Sequence, residues 1–133
     1  MVKIKVNYLG DLHCEAIHEP SGKSILTDAP KDNGGKGETF SPTDLLATSL
    51  ATCIATTMGL YAQRKGLDLE GMQLEVEKLM KDQPYRYIGC LKVTVKIPDH
   101  FSETERSALE RVAHQCPVHK SLHPDVSVEI NFK

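Results

Sequence analysis

The sequence lacks an excess of positive charge. Its 133 residues include 16 Lys and Arg against 18 Asp and Glu, which gives a formal net charge of −2 at pH 7. Proteins that hold a phosphate backbone use clustered Lys and Arg to displace its counterions. We therefore expect no nucleic-acid partner.

Long apolar runs are also absent. The N-terminal stretch MVKIKVNYLG alternates polar and apolar residues, whereas a signal peptide has a continuous apolar segment. No segment approaches about 18 uninterrupted apolar residues, the length typical of a membrane span. The sequence predicts a cytoplasmic protein without a membrane partner.

Cysteine is too sparse for a disulfide scaffold. The four cysteines, Cys14, Cys53, Cys90 and Cys116, are widely separated, and a chain of this length buries roughly 68% of its unfolded surface without cross-links. In a reducing compartment such cysteines rest as thiols, most often as small buried hydrophobic residues. We expect a single domain over residues 1–133.

The remaining patterns predict both strands and helices. Apolar alternation, turn residues and helix caps predict strands at 2–9, 12–18 and 24–28, a loop at 29–40, a long helix at 41–66, strands at 72–80 and 85–97, a helix at 102–115, a short helical turn at 117–122 and a last strand at 126–132. The order βββ-α-ββ-α-β predicts an α+β fold, because strands cluster instead of alternating with helices.

The long helix has recognisable signals at both ends. Ser41 is placed as N-cap, Pro42 as N1, Asp44 as N3 and Gly66 as the residue after the last turn. Small side chains occur on nearly every side, so we expect protein around the helix. The predicted apolar stripe is Leu46, Leu50, Cys53, Thr57, Leu60 and Tyr61.

Two cysteines have contexts that allow chemistry as well as packing. Cys53 lies on the apolar stripe of the long helix, where a core residue is the simpler interpretation. Cys116 precedes Pro117, so its sulfur is expected near free N–H groups at a helix start, which favour thiolate over thiol. Basic neighbours in sequence are His114, His119 and Lys120. Cys14 and Cys90 lack such surroundings, and we interpret them as structural or incidental.

The segments SPTDLLATSLATC, residues 41–53, and CPVHKSL, residues 116–122, occurring in this order, resemble the OsmC/Ohr family of thiol-dependent peroxidases. The resemblance extends over almost the whole chain. It implies an OsmC-like α+β fold, with antiparallel sheets packed around a long central helix. It also implies an intertwined homodimer with the active site at the subunit interface.

The resemblance further implies a reaction. Cys53 corresponds by position to the peroxidatic cysteine and Cys116 to the resolving cysteine. Organic hydroperoxide is the implied substrate, a small dithiol or lipoylated protein the implied reductant, and no cofactor is required. Asp44, Leu46 and Leu50 are the expected substrate-binding residues, with further apolar walls from Met58 and Leu60.

One family feature is missing from the sequence. Family members hold the peroxide with an arginine from the N-terminal strands and a glutamate in the first turn of the long helix. No arginine precedes Arg64 here, and the first turn offers Thr43 and Asp44. Asp44 could replace the glutamate or only cap the helix. Other sources of positive charge are Lys23, Lys36 and Arg86.

Two other functions remain open. The missing arginine is compatible with a non-catalytic module that binds a small apolar ligand at the dimer interface. The C-x2-H spacing of Cys116 and His119, joined by His114 and Cys53, is one that zinc accepts. Because structural zinc sites use a second paired-ligand motif, which this chain lacks, we expect no bound metal.

Overall fold

A computed structural model describes all 133 residues. The elements in chain order are β1 Ile4–Gly10, β2 His13–His18, β3 Lys23–Asp28, a 3-10 turn Lys31–Asn33, α1 Pro42–Lys65, β4 Gln73–Lys81, β5 Tyr87–Lys96, α2 Glu103–Ala113, α3 Pro117–Ser121 and β6 Ser127–Phe132. The predicted α+β element order is confirmed. The chain divides into two compact units, residues 1–46 and 47–133.

The first unit is an antiparallel three-stranded sheet in the order β1-β2-β3. Its register pairs Val6 with Ala16 and Ala16 with Ile25. Since strand side chains alternate between faces, these residues share one face with Ile4 and Tyr8. This apolar face is open, because Ile4, Val6, Tyr8 and Ile25 are 50–66% exposed.

The second unit contains the sheet β4-β5-β6. β5 pairs with β4 in antiparallel register but with β6 in parallel register. The predicted all-antiparallel arrangement was therefore wrong for the last strand. The segment between β5 and β6 contains α2 and α3, and such a helical crossover returns the chain to the starting edge so that two strands can run parallel.

The core of the second unit lies between α1, β5 and α2. Leu91, Val93 and Val95 on β5 are fully buried, whereas Lys92 and Thr94 between them are not. This alternation is typical of a strand with one buried face. Each fully buried aliphatic side chain contributes roughly 1.5–3 kcal/mol to folding. The whole buried cluster is Ala47, Leu50, Ile54, Met58, Ala62, Ile88, Leu91, Val93, Val95, Ile97, Leu109, Ala113 and Cys116.

The caps of α1 form as predicted, but its buried face does not. The Ser41 hydroxyl accepts from the Asp44 N–H at 3.1 Å, and the Asp44 carboxylate accepts from the Ser41 N–H at 2.9 Å. The buried residues are Ala47, Leu50, Ala51, Ile54, Met58 and Ala62, whereas Leu46 and Leu60 are 37% and 55% exposed. The predicted stripe was thus rotated, because a helix with apolar residues on most sides has no periodicity that selects one face.

By length and composition, α1 could also cross a membrane. Core helices of soluble proteins pass the same test, and one face of α1 is in the core cluster.

Candidate active site

Cys53 lies near the middle of α1, at the edge of its buried face. Its side chain is partly exposed and packs against the core cluster, next to the fully buried Ile54. The Cys116 thiol, the Val118 backbone N–H and the Thr57 hydroxyl surround the Cys53 sulfur and act to stabilise its thiolate. Thr57 reaches it because residues four apart are neighbours on a helix.

Cys116 is the N-cap of α3. Its backbone is extended, with φ −60° and ψ 125°, and its sulfur accepts from the His119 N–H at 3.5 Å. Pro117 occupies the first helical position, where a missing N–H costs nothing. The predicted helix boundary at Cys116 and Pro117 is confirmed. The Cys116 side chain is fully buried, unlike that of Cys53.

The two thiols are electrostatically unequal. Burial acts to raise the pKa of Cys53, but the hydrogen bonds from Cys116, Val118 and Thr57 outweigh it and leave that pKa lowered. Burial and the neighbouring Cys53 raise the pKa of Cys116, and the His119 and Val118 N–H groups do not compensate. The N–H groups at the helix start favour the Cys116 thiolate as expected, but burial and Cys53 outweigh them, so the pKa of Cys116 is raised.

This arrangement favours one protonation state. A Cys53 thiolate is stabilised when Cys116 keeps its proton and donates it in a hydrogen bond. Thiolates are the nucleophilic form of cysteine, and of the two thiols Cys53 is the one whose surroundings favour that form. Both are free cysteines in this structure, as are Cys14 and Cys90.

The other predicted site residues differ in burial and in their partners. The Asp44 carboxylate completes the α1 cap through Ser41. Leu50 is fully buried in the core, and Leu46 is partly exposed. Lys36 forms an ion pair of 3.0 Å with Asp11. Among the remaining candidates for positive charge, Lys23 is exposed and Arg86 lies 3.4 Å from Asp82.

The four residues of the zinc alternative do not form a cluster around the thiols. His114 is exposed, and its ring lies 6.4 Å from that of Phe132. His119 approaches Cys116 with its backbone N–H. No three ligand atoms from Cys53, Cys116, His114 and His119 form a group within 4.8 Å of one another.

Two groups of the site were missed from the sequence. Thr57 was assigned only to the apolar stripe, although its i+4 spacing from Cys53 was a usable signal. The Val118 N–H could not be assigned, because a backbone donor has no residue-type signature and depends on how α3 approaches α1.

Comparisons with known proteins agree on the fold. The family model described as OsmC-like protein matches residues 35–131. A structure from Psychrobacter arcticus 273-4, of a protein named for osmotic stress and detoxification responses, is 41% identical with a TM-score of 0.93, covering 100% of this chain and 96% of that one. The organic hydroperoxide resistance protein OsmC from Legionella pneumophila is 21% identical with a TM-score of 0.78, covering 100% and 96%.

A curated relative matches over a shorter region. The uncharacterized protein YmaD of Bacillus subtilis (strain 168) is 29% identical over 77 residues, 58% of this chain. The match spans 51% of YmaD, about half its length.

Proposed function

The chain belongs to the OsmC-like protein family, and we propose that it is a thiol-dependent peroxidase that reduces organic hydroperoxides. The family and the likeness to a protein named for organic hydroperoxide resistance support a redox role. The observation that carries the specific proposal is the hydrogen-bonded Cys53 and Cys116 pair, in which the pKa of Cys53 is lowered and that of Cys116 is raised.

In the first proposed step, Cys53 is oxidised. The thiolate attacks the terminal oxygen of ROOH, an S–O bond forms, the O–O bond breaks and RO⁻ leaves. The alkoxide takes up one proton to become ROH, and Cys53 becomes a sulfenic acid. Thr57 and the Val118 N–H hold the thiolate before attack and orient its sulfur.

In the second proposed step, Cys116 resolves the sulfenic acid. Its sulfur attacks that of Cys53, forms the S–S bond and releases water. The full burial of Cys116 supports this assignment, since a buried thiol of raised pKa is a poor competitor for peroxide. A small dithiol or lipoylated protein then donates two electrons and two protons, which restores both thiols and leaves the reductant as a disulfide.

The surroundings of Cys53 support an organic substrate. The residue packs against an apolar core cluster, which would favour an alkyl group over a fully polar peroxide. We propose that Leu46, the exposed member of the predicted set, contacts this alkyl group, with Leu50 supporting it from the core and Asp44 at the helix start. The proposed location is the cytoplasm, where a reductant keeps the thiols reduced.

The proposed assembly is a homodimer. The apolar face of the β1-β2-β3 sheet leaves Ile4, Val6, Tyr8 and Ile25 at least half exposed, and large contiguous apolar patches are uncommon on monomers. A second copy of the chain is the occupant expected from the family resemblance.

The proposal is tested by steady-state turnover of cumene hydroperoxide with dihydrolipoamide as reductant. Cys53→Ser should abolish turnover, whereas Cys90→Ser, which removes a partly exposed thiol from β5, should retain it. Cys116→Ser should stop the cycle at a sulfenic acid that dimedone traps on Cys53. Full turnover of the hydroperoxide by Cys53→Ser would refute the proposal. If Cys53→Ser instead kept the biological activity of the protein, the non-catalytic module that binds an apolar ligand would be favoured.

A further inference from the structure

Three potential metal-ligating side chains meet in the first unit, among residues that the proposed peroxidase chemistry does not use. His13 and Asp28 are cross-strand partners on β2 and β3, and Glu38 follows in the loop. His13 Nε2 lies 3.5 Å from Asp28 Oδ2 and 3.8 Å from Glu38 Oε2. One ligand atom from each residue falls within 4.8 Å of the other two.

A hydrogen bond at the other ring nitrogen, Nδ1, fixes the orientation of His13. Nδ1 lies 2.6 Å from the Asp11 carbonyl oxygen. A carbonyl only accepts, so Nδ1 carries the hydrogen and donates it. In the neutral imidazole, the lone pair is then on Nε2 and faces two carboxylates. Metal-binding histidines commonly have this arrangement, with the distal N–H held by a backbone carbonyl.

Asp28 also has an unused acceptor, the second oxygen of the carboxylate whose Oδ2 faces His13. The residue is 1% exposed, and its Oδ1 is buried without a hydrogen-bond partner. Oδ2 accepts from the Glu38 N–H at 3.0 Å. The backbone N–H groups of Ala29 and Lys36 also stabilise the carboxylate charge, but neither satisfies Oδ1. A buried carboxylate oxygen without a partner is costly, and a cation bound by both oxygens of this carboxylate would remove that cost.

The loop is folded so that Glu38 reaches this carboxylate. The Gly35 N–H donates to the Pro30 carbonyl at 3.0 Å, and a Cβ at Gly35 would lie 1.8 Å from the Ala29 carbonyl oxygen. Only glycine allows this approach. The nearby cation, Lys36, is paired with Asp11 at 3.0 Å, and its charge acts on Glu38 and Asp28 from beyond ion-pair distance.

We propose that His13, Asp28 and Glu38 bind a divalent transition metal, with Zn²⁺ the best match. One imidazole and two carboxylates balance the charge of the ion and belong to the donor types that zinc accepts. Tetrahedral ligands at about 2.0–2.2 Å from zinc lie roughly 3.4 Å apart. The two measured separations from His13 Nε2, 3.5 and 3.8 Å, are close to this value. The fourth position is left for water on the exposed side of Glu38.

The test is zinc titration by calorimetry of a full-length chain in which Cys14, Cys53, Cys90 and Cys116 are replaced by alanine, with its folding checked by circular dichroism and with Co²⁺ absorption as a second readout. The cysteines are removed because cysteine also binds zinc. We expect one Zn²⁺ per chain. Glu38→Gln and His13→Gln should each weaken affinity at least about tenfold. Glu15→Gln, which removes the same charge from the His13 face of β2, is the matched control and should bind as the wild type does.

Each outcome decides the proposal. Bound Co²⁺ with nitrogen and oxygen ligation and no thiolate charge-transfer band supports it. Absence of stoichiometric zinc from the folded cysteine-free chain, or equal affinity with and without Glu38→Gln, overturns it. The test uses Glu38 because this exposed residue can be replaced without disturbing the core, whereas a substitution of the buried Asp28 could impair folding.

Discussion

Replacing Thr57 with valine should change how the reactivity of Cys53 depends on pH. Valine keeps the shape of threonine but removes the hydroxyl that donates to the Cys53 sulfur. A hydrogen bond to a charged group contributes about 1.5–3 kcal/mol. We adopt the lower end, about 1.5 kcal/mol, because Cys116 and Val118 make larger contributions than Thr57. This corresponds to about a tenfold smaller thiolate population at a pH below the Cys53 pKa.

The loss of rate should be smaller than the loss of thiolate. A less stabilised thiolate is more nucleophilic, with a Brønsted coefficient of about 0.4–0.5. This gain raises the alkylation rate roughly threefold and offsets part of the loss of thiolate. Alkylation of Thr57→Val at Cys53 should therefore be about three- to fourfold slower than wild type at low pH and about threefold faster where both are ionised. The plots of alkylation rate against pH for Thr57→Val and the wild type should therefore cross.

The assay is iodoacetamide labelling as a function of pH, with the Cys53 adduct quantified by peptide mass spectrometry. Thr56→Val is a matched control on the same helix, because the Thr56 hydroxyl donates to the Cys53 backbone carbonyl at 3.2 Å instead of to its sulfur. The labelling rate of Thr56→Val should match that of the wild type at every pH. Superimposable profiles for Thr57→Val and the wild type would refute the assignment of that hydrogen bond.

Three further predictions test packing and assembly. Leu109→Ala should lower the free energy of unfolding by about 2–5 kcal/mol in urea denaturation, because it leaves a cavity in a fully buried cluster. Gly59→Ala should stabilise by about 0.5–1 kcal/mol, since its Cβ enters open space in a helix, whereas Gly35→Ala should destabilise by about 1–3 kcal/mol by collision with a backbone carbonyl; equal effects would contradict this. Val6→Lys on the apolar face should convert a dimer to a monomer in light scattering, and Asn7→Lys on the opposite face should not.

Local signals predicted the helix ends but not the buried face of α1. Ser41, Pro42 and Gly66 act through their own backbone geometry, so the sequence is enough to predict Pro42–Lys65 within one residue at each end. The buried face depends instead on which neighbours α1 contacts. Leu46 and Ile54 are both apolar helix residues, and only packing against β5 and α2 separates the exposed one from the buried one.

The candidate site was partly predictable for a similar reason. The Cys116 and Pro117 boundary is local, and it formed as expected. The raised pKa of Cys116 is not a local effect, because it arises from burial and from Cys53, 63 positions earlier in the chain. The His13, Asp28 and Glu38 cluster has no sequence motif at all. It depends on the β2–β3 register and on the fold of the following loop.

The most direct test of the central claim is mass spectrometry of the purified chain before and after one equivalent of cumene hydroperoxide, with Cys53→Ser in parallel. We predict the loss of two hydrogens, mapped by peptide analysis to a Cys53–Cys116 disulfide, absent from the variant and reversed by dihydrolipoamide. An unchanged mass with all four thiols still available for alkylation would contradict the account.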